Sequence, residues 1–79
     1  MENRQDQFAY YVQLFGGITA SSRRLGVDER ALRRFINGER PISDSLLADT
    51  AEELRKLTSQ AGQAIEQISI TLAASRGEA

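Results

Sequence analysis

Cysteine, histidine and tryptophan are missing from the 79 residues, and proline occurs once. Without cysteine there can be no disulfide, no thiolate nucleophile and no zinc–thiolate site. Without histidine the chain lacks the commonest general base and the commonest metal ligand. No apolar run approaches the roughly 18 residues that a bilayer span needs. The polar opening residues do not form a signal peptide. These absences predict a soluble, cytoplasmic protein with no cofactor, no metal, no membrane partner and no small-molecule ligand. So short a chain makes one domain at most and buries only about 60% of its unfolded surface. With disulfides and metals excluded, a partner chain is the remaining reinforcement.

Ten basic and eleven acidic side chains nearly cancel, leaving a net charge of −1. Their placement is uneven. Residues 17–42 carry six arginines (Arg23, Arg24, Arg30, Arg33, Arg34, Arg40) against Asp28, Glu29 and Glu39, an excess of three positive charges. Residues 43–79 carry an acidic excess of the same size. Such asymmetry says more about partners than the net value does, and it points to a polyanion for the middle third.

No alternating β-branched stretch suggests a sheet, whereas helical spacing recurs throughout. The reading is all-α, a helix-turn-helix domain of four to five helices with a long C-terminal dimerisation helix. Phe8, Tyr11, Val12 and Phe15 predict a first helix over about Gln5–Phe15, stopped by Gly16-Gly17. A second helix spans Ile18–Leu25, with Arg23 and Arg24 facing outward and Gly26 at its end. Asp28 caps a third helix over Glu29–Asn37, closed by Gly38. Ser43 caps the last helix, with Asp44 against its positive end. That helix reaches about Ser75 as one piece, although Gly62 marks a place where it could break, and Arg76–Ala79 should fray. Residues 1–58 are thus assigned to the domain and residues 59–79 to the dimerisation helix continuing from it.

On a wheel at about 100° per residue, Leu32, Phe35 and Ile36 share one arc of the third helix. Arg30, Arg33, Arg34 and Asn37 share the opposite one, with Glu29 at its edge. Arginine can grip guanine O6 and N7 with two bonds, and asparagine can do the same for adenine. A solvated face with Arg–Glu pairs is the plainer alternative. The short helix and glycine-containing turn ahead of this face tip the balance toward a helix-turn-helix arrangement. Gly16-Gly17 is a helix stop and not a phosphate-binding P-loop, since no Lys-Ser/Thr follows.

The segment Gly16–Ile42, GGITASSRRLGVDERALRRFINGERPI, resembles the Cro/lambda-repressor-like helix-turn-helix proteins, particularly small Cro/YdaS-type regulators. The resemblance rests on Gly16-Gly17, Leu25-Gly26-Val27, Phe35, Asn37-Gly38 and the exit Gly38-Glu39-Arg40-Pro41-Ile42. The family more often has alanine where Ser22 stands and tryptophan where Phe35 stands; both replacements fit the space. The resemblance implies base contacts from Glu29, Arg30, Arg33 and Arg34. It implies phosphate contacts from Thr19, Arg23, Asn37 and Arg40. Physical chemistry supports the second set, because a helix N-terminus attracts anions and flanking arginines release condensed counterions. For Arg23 and Arg24, solvation or pairing with glutamates is the alternative.

In the last helix Leu47, Leu54, Ala61 and Ile68 recur every seven residues, as in a coiled-coil seam. Leu46, Leu47 and Leu54 should pack on the domain. Ala61, Ala64, Ile65, Ile68 and Leu72 need another cover, either a second copy of the chain or a hairpin back onto the same domain. A membrane surface is disfavoured because the segment is acidic.

Together these features predict a sequence-specific repressor that binds double-stranded DNA as a homodimer and reads a near-palindrome. It would be prokaryotic, associated with the nucleoid when bound, and similar to small regulators of phages and mobile elements, including those accompanying anti-CRISPR genes. The competing reading is a helical adaptor or antitoxin-like subunit whose arginine face holds an acidic protein. An enzyme is disfavoured: Glu52 and Glu53 are adjacent and do not face each other across a cleft, and no nucleophile is paired with a base.

Overall fold

Three of the four helices begin at a side chain that accepts a backbone N–H. The computed structural model describes residues 3–77, all-helical with no strand among them. Helix α1 is Arg4–Phe15, α2 is Ile18–Leu25, α3 is Glu29–Ile36 and α4 is Asp44–Ser75. Asn3 accepts from the Asp6 N–H at 2.8 Å, Asp28 from Arg30 at 3.4 Å and Ser43 from Leu46 at 3.1 Å. Each such cap stabilises its helix by about 1 kcal/mol. Gly16 ends α1 at φ 108°, a left-handed conformation that glycine adopts without steric penalty. Gly26 ends α2 in the same region.

Helix α1 starts one residue before the expected Gln5, and α3 ends one residue early, with Asn37 as its C-cap. Helix α4 runs through Gly62 without a break for 32 residues. The hairpin alternative is therefore excluded: the second half of α4 continues away from the domain. Its end matches expectation at Ser75, followed by a turn at Arg76 and Gly77; the rest of the expected fraying, at residues 78–79, lies outside the described residues.

Phe8, Val12, Leu32, Ile42 and Leu46 form the buried core, with Tyr11, Ile18, Leu25, Val27, Phe35, Ile36 and Leu47 packed around it. Phe8 and Leu32 have no exposed surface at all, so truncating either to alanine costs about 2–5 kcal/mol. The two buried hydroxyls are both satisfied, Thr50 within α4 and Ser21 at the start of α2 and across to α1. Ser21 donates to the carbonyls of Gly17 (2.7 Å) and Val12 (3.2 Å), and Thr50 donates to Leu46 (2.7 Å). Among the described residues no helix is long and apolar enough to cross a membrane.

Candidate nucleic-acid interface

Helix α3 is held from behind at its start, middle and end. Asp28 caps the start, and Leu32 is wholly buried in the middle. The Phe35 ring meets Phe8 edge-on at 6.0 Å. At the end, the Gln5 amide of α1 donates to the Ile36 carbonyl at 2.8 Å, satisfying a group the helix itself leaves open. Arg4 fastens the next connection by donating to the Ile42 carbonyl at 3.0 Å and pairing with Asp44 at 2.7 Å. The helix thus presents one fixed face outward.

Arg30, Arg33, Arg34 and Asn37 are all exposed on that face, as their spacing predicts. The side chains of Arg30 and Arg34 make no ion pair or hydrogen bond among the described residues. Arg33 lies 3.5 Å from half-buried Glu29, one turn earlier. A contact that long and exposed is worth only about 0.3–0.5 kcal/mol, so a stronger acceptor can displace it. Glu29 therefore has a weak intrahelical partner in Arg33, which either side chain can leave for a stronger one.

The flanking residues divide. Thr19 and Arg23 are exposed. Thr19 stands in the first turn of α2, whose N-cap, Gly17, offers no side-chain acceptor, unlike the caps of the other three helices. No side chain caps the N–H groups of that turn, and an uncapped helix start favours an anion. Arg40 is exposed, and its guanidinium carbon lies 5.0 Å from the centre of the Phe35 ring. Stacking occupies the flat face of the guanidinium and leaves its edge N–H groups available.

Arg24 does not face outward. It turns back to α4, where one nitrogen lies 3.8 Å from Glu53 and another donates to Gln60 at 2.8 Å. Its guanidinium also lies 5.9 Å from the Phe15 ring. The expectation that Arg23 and Arg24 both face outward is corrected for Arg24: adjacent residues on a helix point about 100° apart, and only Arg24 pairs with α4. Pairing with a glutamate, the plainer alternative, holds for Arg24 alone.

Ala61, Ala64, Ile65, Ile68 and Leu72 are exposed in the single chain. Two other features escaped the periodicity argument. Leu14 of α1 is 46% exposed beside α4, which only the helix packing reveals. Phe35 serves as a platform for Arg40, and the five-residue spacing of the two gives no helical signal. Comparison with protein-family models, curated proteins and solved structures finds no match for this chain.

Proposed function

We propose that this chain is a sequence-specific double-stranded DNA-binding repressor, acting as a homodimer with α3 in the major groove. The observation that carries the reading is the pair Arg30 and Arg34, exposed and unpaired on a helix whose opposite side is buried at Leu32. Unpaired guanidinium groups on a fixed helix have no intramolecular partner to give up when they meet guanine edges, so what opposes the contact is side-chain ordering, about 0.5–1.5 kcal/mol each. Arg33 and Asn37 extend the same face. Around it Thr19 at the open start of α2, Arg23 and Arg40 are available to phosphates, which set register without reading sequence.

The resemblance of Gly16–Ile42 to Cro/lambda-repressor-like regulators supports the same assignment. One such module buries little DNA, and two joined modules multiply their affinities. Two copies seated side by side on a promoter would repress by covering it, and their operator is a near-palindrome because the copies are related by a two-fold axis.

Selection from a random duplex library, followed by titration at rising salt, tests the reading. The expected result is one enriched, near-palindromic motif bound at least about a thousandfold more tightly than random duplex, with affinity falling steeply as salt rises. Equal binding to every duplex would leave only an architectural role. No duplex binding would turn the arginine face toward an acidic protein.

A further inference from the structure

The stripe of α4 that packs on the domain does not stop where the domain stops. At about 100° per residue, Leu47, Thr50, Leu54 and Leu57 share an arc with Ala61, Ile65, Ile68 and Leu72. The first four are buried or half-buried; the last four are exposed, Ile65 by 63% and Ile68 by 57%. Beside the boundary stands Leu14 of α1. It lines an open groove of about 510 Å³ with Leu54, Leu57, Ala61 and Ile65. Past Leu54 a second hollow of about 300 Å³ opens between Tyr11 and Ala51.

Gly62, which also lines this groove, is unexplained by the single chain. Its backbone is ordinary helix, and a Cβ built there meets nothing within 4 Å. A glycine in mid-helix weakens the helix relative to alanine, and here no neighbour requires it. Close approach of a second helix at Ala61–Gly62 supplies the missing reason.

We propose that a second copy of the chain fills the groove, α4 against α4, antiparallel and crossing at Ala61–Gly62. This takes up the homodimer of the proposed function and adds its geometry. Direction follows from the shared arc. In a parallel pair both domains, lying on the seam side of α4, would have to occupy the same gap between the helices. Antiparallel, each domain covers only the first half of its own helix and leaves the second half to its partner. Ile65 then meets the partner's Thr58, Ile68 lies beside the partner's Leu54 and Leu14, and Leu72 reaches the hollow at the partner's Ala51. Charge fits self-association as well: between Ser59 and Ser75 only Glu66 is charged, and it lies off the stripe, so no like charges face each other at the crossing.

The chain has no cysteine, so a single Ser75→Cys carries one spin label per copy. From the helical rise of about 1.5 Å per residue, antiparallel pairing places the two labels about 40 Å apart. A parallel pair, with axes about 8–10 Å apart, would bring them within about 20 Å and would overturn the proposal, as would a monomer at micromolar concentration. Leu14→Glu is the second measurement. Leu14 lies outside α4, so only this arrangement makes it an interface residue. The variant should keep its helical circular dichroism and sediment as a monomer; a dimer surviving it would overturn the groove seating. Both measurements are made without DNA. Failure of duplex binding therefore leaves this proposal standing, and failure here leaves the α3 reading to its own titration.

Discussion

The guanidinium of Arg24 lies 3.8 Å from the carboxylate of Glu53, binding α2 to α4, while its neighbour Arg23 is exposed and makes no such contact. Two identical side chains in succession therefore have different surroundings, and under the proposed function different tasks. Arg24→Ala should lower stability by about 1 kcal/mol, the sum of a partly exposed ion pair and a ring contact. For a chain of this size that lowers the melting temperature by roughly 4–8 °C. Arg23→Ala should leave stability within about 0.5 kcal/mol, yet flatten the salt dependence of DNA binding by about one unit. Thermal melts and salt titrations of both variants check the division; equal behaviour in both assays would refute it.

Arg34 has the clearest access of the α3 arginines, with Arg30. Arg34→Ala should cost about 1–3 kcal/mol on the selected operator and relax preference at one base position. Its melting temperature should not change, because the side chain holds nothing in the fold. Uniform weakening over all duplexes would make Arg34 a phosphate contact instead.

The exit from α3 depends on Gly38. Its φ of +79° is left-handed, and an added Cβ would come within 2.7 Å of the Gln5 amide oxygen. The same Gln5 side chain secures the Ile36 carbonyl. Gly38→Ala should therefore destabilise the domain by about 1–3 kcal/mol, seen as an earlier denaturant midpoint with unchanged slope. An unaffected midpoint would show that the end of α3 can rearrange freely.

Gly62→Ala separates folding from association. At a dilution where the chain is monomeric, the variant should be more stable by about 1 kcal/mol, the helix-propensity difference. Its dimer should nevertheless be weaker by sedimentation equilibrium, since a methyl group would enter the crossing. Gains in both would remove the case for close approach there.

Ile68→Glu places a charge in the middle of the exposed stripe. Monomers that no longer hold the operator are expected, because burying an unpaired carboxylate is prohibitive. Light scattering and gel-shift assays together check this. Dimers that survive the substitution would place the interface elsewhere.

The helix limits were legible because they follow from neighbouring residues. Asp28 and Ser43 cap what they precede, Gly16 and Gly26 stop what they follow, and Leu32 to Ile36 follow the period of one turn. The outward arginines of α3 followed from the same period, since a helix that buries Leu32 must expose Arg30 and Arg34. The fate of Arg24 was not legible, because Glu53 and Gln60 are separated from it by long stretches of chain. The stack of Arg40 on Phe35 depends on how the chain turns at Asn37 and Gly38.

Local rules of capping, spacing and glycine punctuation were thus enough for the all-helical order and the basic outward face. Only the packed structure decided which cations were already occupied, that the second half of α4 does not fold back onto its own domain, and that Leu14 and Gly62 border an open groove. The physical reason is range: a helix is set by contacts three or four residues apart, whereas an ion pair or a groove needs segments that meet only after the helices have packed.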